Sequence, residues 1–139
     1  MHYLLYVSAA SHPMGEDELM AILKASRARN IADDVTGMLL YKDGSFMQLL
    51  EGALDNIQQT YARIGRDTRH NGLIMLRQDQ NKARNFPDWS MGFRSVNAAE
   101  LESMPGFARL SSQSFTSPEF TTKPHIALRL LKTFHTTTG

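Results

Sequence analysis

The sequence contains no cysteine in its 139 residues. A disulfide framework, a thiolate metal site and a cysteine nucleophile are therefore excluded, and a reducing compartment suits the chain. No apolar run approaches the roughly 18 residues of a membrane span, and the N-terminus lacks the basic region of a secretory signal. We expect a cytoplasmic chain with no membrane partner.

Strong charge of one sign is also absent, because 15 Lys and Arg face 14 Asp and Glu, for a net charge of +1. No block of like charge stands out, so we expect no nucleic-acid partner. The nine glycines never lie two apart, which excludes the GxGxxG loop, and neither a Walker A loop nor a GxSxG elbow occurs. The standard phosphate-binding loops are therefore missing.

Close spacing of metal ligands is missing too. Each of the five histidines stands alone along the chain, without the spacing typical of a metal site on one helix or turn. They are His2, His12, His70, His125 and His135. We therefore expect no metal.

Apolar periodicity predicts five strands and two long helices, in the order βαββαβ plus one strand. The strands span residues 2 to 8, 35 to 41, 46 to 50, 73 to 78 and 89 to 94. The helices run from 16 to about 29 or 30 and from 54 to 66, and Asp43-Gly44 forms a tight hairpin turn. This order predicts an α+β, ferredoxin-like sheet with two helices on one face, and the cleft between the helices is a natural pocket.

The periodic signal fades after residue 97, and Pro105-Gly106 and the Ser/Thr-rich residues 111 to 122 are predicted to be loop. A short helix over about residues 125 to 134 carries Ile126, Leu130 and Phe134 on one face. We expect that helix to cover the exposed sheet face or a partner.

Gln48 is a polar residue in the apolar strand Phe46 to Leu50. A buried amide left unpaired costs about 1 to 3 kcal/mol, so Gln48 requires partners. Other polar side chains are predicted to converge on the same cleft, namely Tyr6, Ser8, Ser26, Asn30 and Arg63. Each has an ordinary structural explanation when taken singly, but together they offer directional donors and acceptors that suit a planar heterocycle such as flavin.

Six short motifs occur in order between residues 2 and 94. They are Tyr6-Val-Ser8, Ser26-Arg-Ala-Arg-Asn30, Val35-Thr-Gly-Met-Leu-Leu-Tyr41, Phe46-Met-Gln-Leu-Leu-Glu-Gly52, Tyr61-Ala-Arg-Ile-Gly-Arg-Asp67-Thr-Arg-His70 and Arg84-Asn-Phe-Pro-Asp-Trp-Ser-Met91. In this combination the chain resembles the BLUF domains, which are blue-light sensors that use FAD.

The resemblance implies a cofactor-binding set between the two helices. Its members would be Ile22, Ser26, Asn30, Gln48, Arg63, Ile64, Asp67, Arg69 and His70. Tyr6 would be the electron donor, and Gln48 would bridge its hydroxyl to the flavin and rearrange after light absorption. Trp89 and Met91 resemble the pair on strand five that lies near the glutamine. Arg29 departs from the Asn or His that the family often has there.

The resemblance also implies a division of the chain into a flavin-binding domain, residues 1–95, and a C-terminal loop and helical extension, residues 96–139. Because residues 97–139 are too short for a cyclase or phosphodiesterase domain, we expect a sensor that is not an enzyme. It would signal through strand five and the C-terminal segment to a separate signalling protein or its own oligomer.

Two alternatives remain open on the residues alone. One is a light-independent ligand-binding or dimerisation module of the same fold. The other is an acylphosphatase-like hydrolase, which requires an arginine in the first strand-to-helix loop. Residues 9–15 contain none.

Overall fold

Five strands form one sheet in the structure, a computed structural model that describes residues 1–138, with side chains described through residue 134. The strands are β1 His2–Ala10, β2 Thr36–Lys42, β3 Ser45–Gly52, β4 His70–Gln80 and β5 Gly92–Ser95. The helices are α1 Glu16–Asp33, α2 Leu54–Gly65, α3 Ala98–Ser103, α4 Pro118–Thr121 and α5 Pro124–Thr138, with a 3₁₀ turn at Ala108–Leu110. Gly139 and the side chain of His135 lie outside the described residues.

The strand order is β4-β1-β3-β2-β5, and only the pairing of β2 with β5 is parallel. The predicted α+β, ferredoxin-like fold is therefore confirmed. The hairpin turn at Asp43-Gly44 is also confirmed, because both residues have the positive φ, 46° and 81°, that a tight two-residue turn requires. The pairing of β1 with β3 places Tyr6 directly opposite Gln48.

The sheet has two buried faces. One packs against α1 and α2 through Leu4, Tyr6, Leu39, Phe46, Leu50, Ile22, Leu23 and Ile57. The other packs against the C-terminal helices through Leu5, Val7, Met47, Leu49, Leu101, Phe115, Leu130 and Phe134. Because side chains alternate along a strand, β1 and β3 contribute every second residue to each face. The face opposite α1 and α2 is thus covered by the chain itself.

The predicted end of the first helix is wrong. The helix continues to Asp33 and ends where Asp34 adopts a left-handed conformation with φ 53°. The Asp34 N–H donates back to the carbonyls of Asn30 and Ile31, and a short polar side chain tolerates this conformation. Asn30 therefore lies inside α1.

Between residues 97 and 122, the loops predicted at Pro105-Gly106 and over 111–122 are confirmed except at α4. The structure has α3, a 3₁₀ turn and α4 there, each too short to give an apolar period in the sequence. Local capping marks α3, since the Asn97 side chain accepts a hydrogen bond from the Glu100 N–H at 2.9 Å. Strand five also begins later than predicted, at Gly92, so residues 89–91 are irregular.

Candidate functional site

A cavity of about 320 Å³ opens between α1 and α2, above the sheet face that carries Tyr6 and Gln48. All nine residues of the predicted cofactor-binding set line it, together with Tyr6. The remaining lining residues are Ala25, Arg29, Leu39, Thr60 and Arg66. The cleft predicted from the element order is therefore present, and the structure brings the candidate residues together there.

Gln48 has a partner at each end of its buried carboxamide. Tyr6 Oη donates a hydrogen bond to Gln48 Oε1, and Gln48 Nε2 donates to the Sδ of Met91 at 3.2 Å. All three side chains are buried. Burial, with smaller contributions from Tyr61 and Asp67, raises the pKa of Tyr6 well above that of an ordinary phenol. Tyr6 therefore keeps its proton and acts as the donor of this pair.

Trp89 lies away from the cavity. Its ring stacks on Phe86 at a centroid distance of 5.7 Å and packs beside the cluster that the C-terminal helices form. The Trp89 carbonyl accepts from the Gly37 N–H at 3.1 Å. Of the predicted pair, the structure places Met91 at Gln48 and Trp89 on the opposite side of the sheet.

Asn30 joins the cavity to the segment that precedes β5. Its Nδ2 donates to the Ser90 carbonyl at 2.8 Å, while its Oδ1 is buried with no hydrogen-bond partner among the described residues. An unpaired buried acceptor costs about 1 to 3 kcal/mol. Because Asn30 lines the cavity, a ligand that carries an N–H group would satisfy it.

Positive charge dominates the ionisable groups of the cavity, which include the four arginines 29, 63, 66 and 69 and one carboxylate, Asp67. Burial, then the neighbouring Arg29, lowers the pKa of Arg63, and Asp33 at 3.7 Å opposes that shift. This excess of positive charge suits an anionic group such as a phosphate.

Asp67 and His70 are each held by a named partner. The Arg69 guanidinium, 2.6 Å from the Asp67 carboxylate, is the main reason that the pKa of Asp67 is lowered. The Ser8 hydroxyl lies 3.0 Å from His70 Nδ1, and burial lowers the pKa of that imidazole. Ser8 therefore does not line the cavity but supports a residue that does.

Arg66 is a lining residue that the sequence interpretation missed. It follows the last residue of α2, so the helical period does not reach it. A signal was present, since Arg63, Arg66 and Arg69 recur at a spacing of three.

Metal ligands do not cluster in the part of the chain that the structure describes, where no group of three or more His, Cys, Asp or Glu residues could hold an ion. Within the same residues, no helix has the length and apolar character needed to cross a membrane.

A family model described as BLUF, sensors of blue-light using FAD, matches residues 1–92. The chain belongs to the BLUF family. The predicted family and its cofactor, FAD, are therefore confirmed, and the family does not favour the hydrolase or the light-independent module.

Known BLUF proteins resemble this chain over most of its length. The photoactivated adenylate cyclase subunit beta of Euglena longa is 34% identical over 132 residues, which are 92% of this chain and 15% of that relative. This chain thus spans about 15% of the length of that curated relative.

Solved structures of a BLUF protein and of a light-regulated cyclase are similar to this chain in fold. The BLUF protein BlrB in its dark state is 29% identical with a TM-score of 0.73, and the match covers 91% of this chain and 93% of BlrB. A bacterial light-regulated adenylyl cyclase is 28% identical with a TM-score of 0.70, over 93% of this chain and 36% of the cyclase.

Proposed function

We propose that this BLUF chain is a blue-light photoreceptor that binds FAD between α1 and α2 and reports light through Gln48. The observation that carries the proposal is the buried series Tyr6, Gln48 and Met91 beside a cavity that also holds the unpaired Asn30 Oδ1. These residues supply directional hydrogen bonds where a photosensory cofactor needs them.

The residues of the cavity fit FAD. Ile22 and Ile64 offer apolar surface to a flat ring, Asn30 Oδ1 offers an acceptor to a ring N–H, and the arginines suit the phosphates. When bound, FAD absorbs blue light and becomes a strong oxidant.

Tyr6 is the proposed source of an electron and of its hydroxyl proton. Tyr6 would give both to excited FAD, when that cofactor is bound, and both would return to Tyr6, so that no substrate is consumed. Its hydroxyl proton already points to Gln48 Oε1, so loss of an electron and proton from the phenol first alters its hydrogen bond to the carboxamide.

Gln48 has two ways of being oriented, and they are not equivalent. In the observed orientation Oε1 accepts from Tyr6 and Nε2 donates to Met91. Reversing the amide would present Oε1 to the Met91 thioether, which has no proton to donate, and Nε2 to the Tyr6 hydroxyl. The observed orientation is therefore favoured as long as Tyr6 remains a donor. If Tyr6 loses its proton, that preference weakens, and only the bond from Nε2 to Met91 still favours this orientation.

The output requires amplification, because one net hydrogen bond is worth about 1 kcal/mol and a tenfold shift in an equilibrium takes about 1.4 kcal/mol. We propose that β5 and the C-terminal segment, residues 96–139, provide it. Met91 is next to β5 in the chain, and Arg94 in β5 contacts Glu100 of α3 at 2.5 Å and the Phe134 ring of α5 at 4.9 Å.

The proposed recipient of the signal is a separate signalling protein in the cytoplasm, or a second copy of this chain. The similarity to light-regulated adenylyl cyclases supports this proposal, because those proteins couple light to an enzymatic activity. We propose that residues 1–95 form the flavin-binding unit and that this chain is a sensor and not an enzyme.

Absorption spectroscopy on the purified protein tests the proposal. The dark protein should be yellow and release one FAD per chain, and blue light should shift its flavin band reversibly to the red. Tyr6→Phe and Gln48→Leu should each abolish the shift while FAD stays bound. Tyr3→Phe is the matched control, since Tyr3 lies on the opposite face of β1. A colourless protein that cannot be reconstituted, or a normal light response in Gln48→Leu, would contradict the proposal.

A further inference from the structure

Two side chains of α1 hold consecutive carbonyls of the segment that leads into β5. Arg27 Nε donates to the Met91 carbonyl at 2.9 Å, and Asn30 Nδ2 donates to the Ser90 carbonyl at 2.8 Å. Residues 27 and 30 are three apart and so lie on the same face of the helix. Met91 is also the residue whose sulfur accepts from Gln48.

These two bonds replace a strand ladder. Residues 89–91 are irregular, and pairing of β5 with β2 begins at Gly92, opposite Met38. Polar backbone groups that lack a ladder require other partners. Side chains of α1 supply them for Ser90 and Met91, so the position of the Met91 backbone depends on the helix as well as on the sheet.

The two donors differ in what else they contact. Asn30 lines the flavin cavity, so changing it would disturb the cavity and the segment together. Arg27 does not line that cavity but a second one, beside Trp89 and Met91. Arg27 can therefore be changed without altering a lining residue of the flavin cavity.

An ordinary surface arginine is the competing explanation, because Arg27 is an exposed helical residue. Its Nε, however, donates to a specific carbonyl 64 positions along the chain, and that carbonyl belongs to the residue that completes the Gln48 hydrogen bonds. A merely solvated arginine would leave Met91 unaffected when removed.

We propose that Arg27 is a positioning residue that holds the Met91 backbone so that its sulfur stays at Gln48. This inference rests on the proposed photoreceptor function, since Gln48 is its switch. Without the Arg27 bond, Met91 leaves Gln48 more often and must return before the dark arrangement is restored. Recovery in the dark after illumination should then slow about fivefold, the effect expected of one net hydrogen bond.

The experiment compares Arg27→Ala, Arg27→Gln and Lys24→Ala in the full chain. Arg27→Gln keeps an N–H donor without the charge, and Lys24→Ala removes a positive charge one turn earlier on the same helix. The first readout is acrylamide quenching of Trp89, the only tryptophan in the chain, after FAD has been removed. The second is the dark-recovery rate of the FAD-loaded protein.

Arg27→Ala should increase quenching of Trp89 and slow recovery, while FAD content and the dark spectrum stay unchanged. Arg27→Gln should restore most of the wild-type protection of Trp89 and most of the wild-type recovery rate. Lys24→Ala should change neither readout. The inference is overturned if Arg27→Ala matches the wild type in either readout, or if Lys24→Ala slows recovery equally. If the wild type shows no light response, the photoreceptor function fails, and the inference about the switch fails with it. Quenching of Trp89 would then still report separately whether Arg27 orders the segment.

Discussion

Gln48 Nε2 donates to Met91 Sδ across 3.2 Å, so the amide meets a weak acceptor at one end and a phenol donor at the other. Met91→Leu keeps the volume of the side chain and removes the acceptor. The free energy of unfolding should fall by about 1 to 3 kcal/mol, because Gln48 Nε2 loses its acceptor inside the protein. The dark-recovery rate should change several-fold, since Gln48 loses the partner that favours its orientation.

Met47→Leu is the control for that change. Met47 is as buried as Met91, but its side chain lies on the face of β3 opposite to Gln48. Flash spectroscopy of the flavin band measures recovery in both variants. Equal rates in Met91→Leu and the wild type would show that the thioether has no part in the switch.

Glu51 is a fully buried carboxylate that holds the start of the segment leading to Met91. It accepts from the Asn85 N–H at 2.8 and 2.9 Å and from the Phe86 N–H at 2.9 Å. Glu51→Gln turns an amide NH₂ toward groups that are themselves donors. We expect a loss of about 1 to 3 kcal/mol in unfolding free energy, measured by urea titration. Glu102→Gln, at an exposed site, should change it by less than about 0.5 kcal/mol.

Gly92 lies too close to the Trp89 ring to accept a side chain. A Cβ at this position would lie 2.1 Å from Trp89 Cε3 and 2.8 Å from Met38 Sδ. Gly92→Ala should destabilise the protein by about 1 to 3 kcal/mol and displace Trp89, which its fluorescence would report.

Gly65→Ala is the matched control for Gly92→Ala. The nearest atom to its added methyl is Leu73 Cδ2 at 3.9 Å, and Gly65 is the last residue of α2. Because alanine favours a helix, this variant should be as stable as the wild type or up to about 1 kcal/mol more stable. Equal destabilisation by both changes would refute the predicted clash at Gly92.

His70 should make the FAD-free protein less stable in mild acid. Burial lowers the pKa of this imidazole in the folded state below its value in the unfolded chain, which is about 6.5. Below about pH 6.5 the imidazole of the unfolded chain binds a proton that the folded protein does not bind. The free energy of unfolding therefore falls as the pH decreases toward the lowered pKa. Urea titrations between about pH 7.5 and 5.5 measure the slope, which should be smaller in His70→Asn.

His125→Asn, at an exposed histidine, is the control for that slope. Asp67 has its pKa lowered mainly by the Arg69 hydrogen bond, so the stability that it contributes is lost only at more acidic pH, below the value of an ordinary carboxyl. The two groups therefore act in separate pH ranges. An unchanged slope in His70→Asn would refute the prediction.

The features that were predictable from the sequence are those that depend on a residue and its neighbours in the chain. Asp43-Gly44 specifies its turn through its own φ angles, and Gln48 is conspicuous because its neighbours are apolar. The end of α1 was predicted too early because the stop is the conformation of Asp34, which the sequence does not display.

The contacts of the segment that leads into β5 were not predictable from the sequence. The Asn30 amide donates to a carbonyl 60 positions away, in a segment that has no period. Trp89 and Met91 would share one face if their segment were a strand, but it is irregular and they lie on opposite sides of the sheet. Tertiary packing on the sheet stabilises the short helices after residue 97, so local propensity alone did not show them.

Strand β3 carries two attachment points for the segment between β4 and β5. Glu51 fixes Asn85 and Phe86, and Gln48 contacts Met91. Gln48 and Glu51 lie three positions apart on the strand, a span of roughly 10 Å that the sheet keeps constant. Most surface loops tolerate gain or loss of a residue, but this one must join two fixed points. Its length is therefore constrained as well as its composition, because Phe86 is fixed at Glu51 and Met91 at Gln48.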